Sequence, residues 1–334
     1  MTAPKGHRRI LVTGAGGFIG HHLVSHLARL GHRVRGVDVR PPRFAPSCAA
    51  EFAIADLRRP DDCRRVTSGI DEVYALAADM GGMGYISEHH AAILHNNVLI
   101  DFNTLEAARR NGVGRVLFTS SACIYPEWRQ MDDSARPLKE SDAYPAQPQD
   151  AYGWGKLITE QLSGHYDAEY GISTRVVRLH NIFGPLGTWE GGREKAPAAI
   201  CRKIAMAKLT GEDTIDVWGD GRQARSFCYI DDCIAGLVLI MGSDCRQPLN
   251  LGQDRQVTIR ELVQIVAGIA RVDLKIRFVA GPQGVRSRNS DNELVQRLLG
   301  WTPQVSLETG LARTYDWICE QVQAQLAGVA SGSR

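Results

Sequence analysis

The stretch Arg9-Ile-Leu-Val-Thr-Gly-Ala-Gly-Gly-Phe-Ile-Gly20 decides the fold. A short apolar run, Arg9–Val12, ends in Thr13-Gly14 and reads as a strand. Phe18–Leu30 has helical spacing and stops at Gly31. Between them Gly14, Gly17 and Gly20 keep a three-residue spacing. Glycines there permit a tight turn and let the backbone approach a pyrophosphate, which then sits on the positive end of the helix. A glycine-rich run alone is often only a loop, so the context decides. The next β-branched run, Arg33–Val37, ends at Asp38, where a carboxylate can bind both hydroxyls of an adenosine ribose. It would repel a 2′-phosphate, which favours NAD over NADP. Arg40 and Arg43 pull the other way, since guanidiniums in this turn can accept a phosphate. Asp56-Leu57, after a third short strand, either covers the adenine or is a solvated loop.

Further along, Glu72–Ala78, Arg115–Ser120 and Thr174–Leu179 read as buried strands. The long helices Ala91–Asn111 and Ala151–Tyr170 fall between them. Strands alternating with helices imply a parallel sheet covered on both faces. The expected fold is α/β, a Rossmann-type doubly wound parallel sheet with a smaller C-terminal substrate-binding lobe. Residues 1–182, with return segments at about 226–257, form the NAD-binding domain; 183–225 and about 258–320 form the lobe; 324–334 form a flexible tail. The 334 residues suit about two such units. Apolar residues make up 44% and charged residues 23%, which excludes a disordered chain. Lys plus Arg number 39 against 37 Asp plus Glu, too even for a nucleic acid or membrane partner. With no apolar run near ~18 residues and no signal-peptide pattern, a cytoplasmic protein is expected. None of the 8 cysteines forms a C-x-x-C pair, so reduced thiols and no metal site are expected. His89, His90 and His95 have no carboxylate or Cys at ligand spacing and read as helix surface.

Tyr152-Gly-Trp-Gly-Lys156 is Y-x-x-x-K at the start of a helix, which puts both side chains on one face. The ammonium is expected to lower the phenol pKa, so that Tyr152 can take a proton from a substrate hydroxyl as hydride leaves. Ser120-Ser121-Ala122-Cys123 follows a strand, at the end of the sheet where sites in such folds are built. The glycine loop, Asp38, Ser121, Tyr152 and Lys156 in this order resemble the extended short-chain dehydrogenase/reductase family.

Longer stretches resemble one branch of it, the GDP-mannose 3,5-epimerases, over roughly residues 8–320. They are ADMGGMGYI (78–86), SSACIYPE (120–127), ESDAYPAQPQDAYG (140–153), HNIFGPLGTWEGGREKAPAAICRK (180–203), WGDGRQARSF (218–227) and GPQGVRSRNSDN (281–292). The resemblance implies an isomerase that inverts C3 and C5 of GDP-D-mannose through a 4-keto intermediate, giving GDP-L-galactose, GDP-L-gulose or both. It implies that Cys123 and Lys195 supply the acid–base pair, beside Tyr152, Lys156 and Ser121. It places NAD against Gly14, Gly17, Phe18, Ile19, Gly20, Asp38, Asp56, Ala77, Tyr152 and Lys156. It places the substrate against Gly81, Ser121, Ala122, Cys123, Asn181, Lys195, Lys203, Gly219, Gln223, Arg225 and one or both of Arg286 and Arg288. It also implies a homodimer built on the two long helices.

The chemistry agrees. Oxidising C4 to a ketone acidifies the hydrogens on both neighbouring carbons, so one oxidation serves two inversions. Each inversion needs a base on one face of the ring and an acid on the other. Seen alone, Cys123 is a packing residue, Lys195 a solvated charge and Asn181 a loop residue. A 4-epimerase would leave Cys123 and Lys195 idle, and a 4,6-dehydratase would place an acidic residue beside the catalytic Ser. A non-catalytic scaffold would have no use for Ser121, Tyr152 and Lys156. Two departures stand out: Trp154-Gly155 inside Y-x-x-x-K, and the length of Ala207–Ile215. A helical Gly155 costs about 1 kcal/mol relative to Ala, which a close packing contact would explain.

Overall fold

A computed structural model describes residues 6–133, 136–281 and 284–332. In chain order the first half comprises β1 (Arg9–Thr13), α1 (Phe18–Arg29), β2 (Arg33–Asp38), β3 (Glu51–Ile54), α2 (Pro60–Thr67), β4 (Glu72–Ala75), α3 (Met83–Glu88), α4 (His90–Arg110), β5 (Arg115–Ser121), α5 (Ala151–Tyr170) and β6 (Ser173–Leu179). The second half comprises β7 (Ile182–Phe183), α6 (Ala196–Thr210), β8 (Thr214–Trp218), β9 (Ala224–Ser226), β10 (Cys228–Tyr229), α7 (Ile230–Gly242), β11 (Leu249–Leu251), β12 (Gln256–Thr258), α8 (Ile259–Ala270), β13 (Lys275–Val279), β14 (Ser287–Arg288), α9 (Glu293–Leu299) and α10 (Leu307–Gly332). The last helix runs through the expected tail as far as Gly332; residues 333–334 lie outside the described residues, as do Pro282 and Gln283 of the 281–292 motif.

One seven-stranded parallel sheet runs in the order β11-β6-β5-β4-β1-β2-β3. Side chains along a strand alternate between its two faces. Ile10, Val12, Val34, Leu117 and Val177 therefore share one apolar core with Leu23 and Leu27 of α1 and Leu237 of α7. Leu11, Val37, Val73, Val116 and Val176 share the other with Cys63 of α2 and Leu105 of α4. Burial on both faces explains why these strands read as continuous apolar runs. The smaller lobe packs α6, α8 and α10 together beside the parallel pair β8–β13 and the short sheet β12-β9-β14. Among the described residues no helix is long and apolar enough to cross a membrane.

Beneath the strand ends lies a buried polar network. The Arg178 guanidinium of β6 binds Glu160 of α5 through two nitrogens, Nη2 to Oε2 at 2.7 Å and Nε to Oε1 at 3.0 Å. Ser120 Oγ donates to the same carboxylate. Arg178 Nη1 also reaches Glu140 O at 2.8 Å and the Tyr125 hydroxyl at 3.2 Å. Tyr125 and His180 both bind Asn250 Oδ1 of β11, at 2.6 and 3.0 Å. Burial pulls His180 down to about 3, so it is neutral and donates from Nε2.

Removing one member of a buried ion pair strands the other charge. Glu160→Gln is expected to destabilise the protein by about 3–5 kcal/mol. Urea unfolding checks this, and a loss below about 1 kcal/mol would mean that water reaches Arg178.

Candidate active site

The C-terminal ends of the sheet and the inner wall of the lobe enclose a cavity of about 870 Å³. Of the residues expected at the site, all but two line it. Gly219 turns the chain, its N–H donating to Val279 O at 2.9 Å, and neighbouring Trp218 faces the cavity instead. Arg286 points away and pairs with Asp133 and Asp220. The cavity is lined by Arg288, not Arg286.

At one end, Gly17 N–H bonds Gly14 O at 3.0 Å and α1 begins at once. A Cβ on Gly20 would lie 2.1 Å from Gly14 O, so the helix can start this close to the strand only with glycine there. Asp38 Oδ2 accepts the Gly16 N–H at 3.0 Å and Oδ1 the Arg40 N–H at 3.3 Å. Burial raises the Asp38 carboxyl, while these backbone donors oppose the rise. Arg43 is drawn off to Glu190 at 2.7 Å. The Asp56 carboxyl is held below its usual range by hydrogen bonding to Arg58, 2.7 Å away. β4 stops at Ala75, short of the expected Ala78, because Leu76 and Ala77 donate to Thr13 Oγ1, each at 3.0 Å. A glycine-rich loop, a helix N-terminus and an acidic strand end fit an adenine dinucleotide without a 2′-phosphate.

At the centre, α5 begins under its Asp150 cap, whose side chain accepts the Gly153 N–H at 2.8 Å. A Cβ on Gly153 would lie 2.2 Å from Cys123 O, so the first turn of α5 rests directly on the Cys123 backbone. Gly155 is a milder case: a Cβ there would meet Leu94 Cδ1 of α4 at 3.2 Å, a tight contact with a flexible side chain. Ser121 Oγ accepts the Cys123 N–H at 3.2 Å and hydrogen-bonds the Tyr152 phenol.

The phenol itself corrects an expectation. Burial raises the Tyr152 pKa, Cys123, Asp101 and Asp150 raise it further, and the hydrogen bond from Ser121 opposes them. The nearby Lys156 ammonium does not offset this rise. Its Nζ lies 3.4 Å from Asp101 Oδ2 and 5.8 Å from the Tyr152 ring centre, with both members of the ion pair buried. A carboxylate in contact with the ammonium cancels most of its field at the phenol.

At the far end, Lys195 immediately precedes α6 and opens onto the cavity with protein walls around it. The side chain is exposed on the cavity wall; the protein packed around it lowers its pKa, repulsion from Arg288 adds to this, and Cys123 opposes it. Arg288 Nη1 donates to Cys123 Sγ at 3.3 Å and its Nε to Gln130 Oε1 at 2.5 Å. Arg225 donates to the carbonyls of Ala224, Val285 and Arg286. Burial, with repulsion from Arg288, pulls Arg225 down to about 9. Among the described residues no carboxylate pairs with Lys195, Arg225 or Arg288, so this end of the cavity favours an anion. Lys203 Nζ donates to Asp216 O at 2.6 Å. Asn181 takes a positive φ of 44° and donates to Ser226 O at 2.9 Å, tying β6 to β9.

Sequence reasoning passed over Gly16, Gly153, Arg193 and Asp101. Arg193 lies 3.7 Å over the Tyr85 ring and joins the Gly81 loop to the Lys195 segment. Asp101 did leave a signal. On α4 it shares the buried face of Ile93, Asn97, Leu105 and Ala108, where an acidic side chain needs a buried cation. Among the described residues no group of metal-ligating side chains comes together.

The comparisons with known proteins point the same way. The chain is 49% identical over 324 residues to GDP-mannose 3,5-epimerase 1 of Oryza sativa subsp. japonica, covering 96% of this chain and 84% of that one. It superposes on the UDP-glucose 4-epimerase of Thermotoga maritima, solved with UDP-glucose, with a TM-score of 0.85 at 26% identity, covering 94% and 99% of the two chains. It superposes on the UDP-glucose 4-epimerase of Thermus thermophilus, solved with NAD, with a TM-score of 0.80 at 25% identity, covering 93% and 98%. Residues 10–252, which carry the glycine loop, Asp38, Ser121, Tyr152 and Lys156, match the model of that wider group, and the chain belongs to the NAD dependent epimerase/dehydratase family.

Proposed function

We propose that this protein epimerises GDP-D-mannose at C3 and C5 through a 4-keto intermediate, giving GDP-L-galactose, GDP-L-gulose or both. One observation carries the reading: Cys123 and Lys195 line the same cavity as Ser121 and Tyr152. An alcohol-oxidising pair and a second acid–base pair then act on one sugar. The substrate comes from the name of the rice relative.

Tyr152 takes the proton of the C4 hydroxyl while Ser121 holds the oxygen. Gly14–Gly20, Asp38, Asp56 and Ala77 would hold NAD, with Asp38 at its ribose, and the cofactor would supply the hydride acceptor and donor for C4. With C4 a ketone, the hydrogens on C3 and C5 become acidic. Cys123 and Lys195 remove a proton from one face and deliver one to the other. The lowered pKa of Lys195 makes its ammonium a better proton donor than an ordinary lysine. Arg225, Arg288 and Lys203 hold the diphosphate, for which the guanidinium fork is suited. Gly81, Ala122, Asn181 and Gln223 contact the rest of the substrate.

In this reading residues 1–182 with 226–257 are the cofactor half, and 183–225 with 258–320 the substrate half. The protein works in the cytoplasm as a homodimer. Trp154 and Ile158 are exposed one turn apart on α5 and supply an apolar face for pairing.

NMR of GDP-mannose with the enzyme in D₂O tests the reaction. Deuterium enters at C3 and C5 with new L-sugar signals, and unlabelled substrate would end the proposal. Cys123→Ala and Lys195→Ala each lose ~10²–10⁴-fold of the exchange rate yet still bind substrate and form NADH, read at 340 nm. Tyr152→Phe forms none. Arg225→Ala raises KM by about 10-fold or more, the worth of one charged hydrogen bond, while Arg286→Ala changes it less than about twofold. Light scattering should give twice the 36.7 kDa chain mass for the wild type and a single mass for Trp154→Glu with Ile158→Glu.

A further inference from the structure

Lys195 reaches the cavity from a segment that is clamped at Arg193 and Glu194, just before it. The chain turns into this segment at Gly191 and Gly192, whose positive φ values of 85° and 79° suit glycine. Glu194 is pinned to α6, where Arg202 Nη2 donates to its Oε1 at 2.8 Å. Arg193 is pinned in the other direction. Its guanidinium carbon lies 3.7 Å from the centre of the Tyr85 ring, on α3 of the first half of the chain. The backbones meet at the same place, where a Cβ on Gly82 would lie 2.8 Å from Glu194 O.

The Tyr85 ring is a braced platform. Its hydroxyl donates to Asp79 Oδ1 at 3.1 Å. Asp79 is held in turn by α4: its Oδ2 accepts from Asn96 at 2.9 Å, and its N–H donates to Asn97 Oδ1 at 2.7 Å. The ring also stacks on His89, with 4.5 Å between ring centres. A guanidinium over such a face is attracted by the ring quadrupole, an effect worth about 2–30-fold in an equilibrium. The mechanism above gives Arg193 no part, although Arg193 lines the cavity.

We propose that Arg193 is a positioning residue for the inversion steps: seated on Tyr85, it ties the segment that carries Lys195 to the half of the molecule that carries Cys123, and so sets Lys195 against the sugar. The inference rests on the reading of Lys195 as the acid–base partner of Cys123. The two groups must meet opposite faces of one ring, yet they come from separate parts of the chain. Cys123 follows β5 and rests on the first turn of α5, whereas Lys195 heads α6 in the lobe. A misplacement of about 1 Å between such groups costs up to ~10²-fold in rate. Oxidation at C4 uses Ser121 and Tyr152, both on the sheet side, and does not need the contact.

Arg193→Ala is expected to lower deuterium exchange at saturating GDP-mannose by about 10-fold, with KM moved less than about twofold and NADH still forming at 340 nm. Tyr85→Leu removes the ring but keeps apolar bulk, and should do the same. Tyr85→Phe keeps the ring face and should hold exchange within about threefold of the wild type. In the Lys195→Ala background, Arg193→Ala should cost less than about twofold more, because it acts only through Lys195. A raised KM with unchanged exchange at saturation would make Arg193 a ligand of the substrate and overturn the proposal. Loss of NADH formation together with exchange would mark a merely structural role and overturn it too. So would a full further loss on top of Lys195→Ala, a Tyr85→Phe as slow as Tyr85→Leu, or wild-type exchange in Arg193→Ala. If the wild-type enzyme exchanges no deuterium into GDP-mannose, the functional reading itself fails and takes this inference with it.

Discussion

The buried pairing of Arg178 with Glu160 is the constraint on which the site depends. Tyr152, Lys156 and Glu160 stand at i, i+4 and i+8 on α5, one stripe along one face. Fixing Glu160 to β6 by two nitrogen contacts fixes the rotation of the helix about its own axis, and so the direction in which Tyr152 and Lys156 project. Ser120 binds the same carboxylate, and the next residue, Ser121, meets the phenol. Two charges in a dry interior are costly to assemble and add little net stability. What they supply here is alignment of a helix with the ends of two strands.

The same economy of charge runs through the rest of the cavity, with the opposite outcome. Lys156 is neutralised within the protein by Asp101, whereas Lys195, Arg225 and Arg288 have no carboxylate partner among the described residues. The first cation lines the cavity but is answered from inside the protein. The other three wait for negative charge from outside, and their mutual repulsion is relieved when an anion arrives. The division falls along the architecture: the paired charge belongs to the sheet-covering helices, the open ones to the lobe and its edges.

How much of this was legible in the sequence follows the reach of each interaction. The strand–glycine–helix opening, Asp38 at the end of β2 and the Tyr152–Lys156 spacing are local, and local chemistry is written in order along the chain. Helix α5 begins and ends where its cap and Gly171 place it. Arg286 and Arg288 could not be separated because the deciding partners are remote. Asp133 and Asp220 claim one guanidinium, Gln130 and Cys123 the other. The lowered phenol pKa expected from Lys156 failed for the same reason, since its carboxylate comes from a helix 55 residues away in sequence. The length of β4 was overread because a single threonine hydroxyl collected two backbone donors.

The seat of Cys123 on Gly153 has a consequence for how such a protein can change. The backbone of the cysteine proposed for one half-reaction rests on the backbone of the helix that carries the tyrosine of the other, with no room at the contact for even a methyl group. Neither residue can be shifted without dragging its counterpart. Random substitution at position 153 will therefore register as loss of both chemistries together, though glycine has no side chain to take part in either. A descendant with a new sugar preference would have to be remodelled from the lobe side, where Arg225, Lys195 and their loops are borne on separate segments and can drift one at a time.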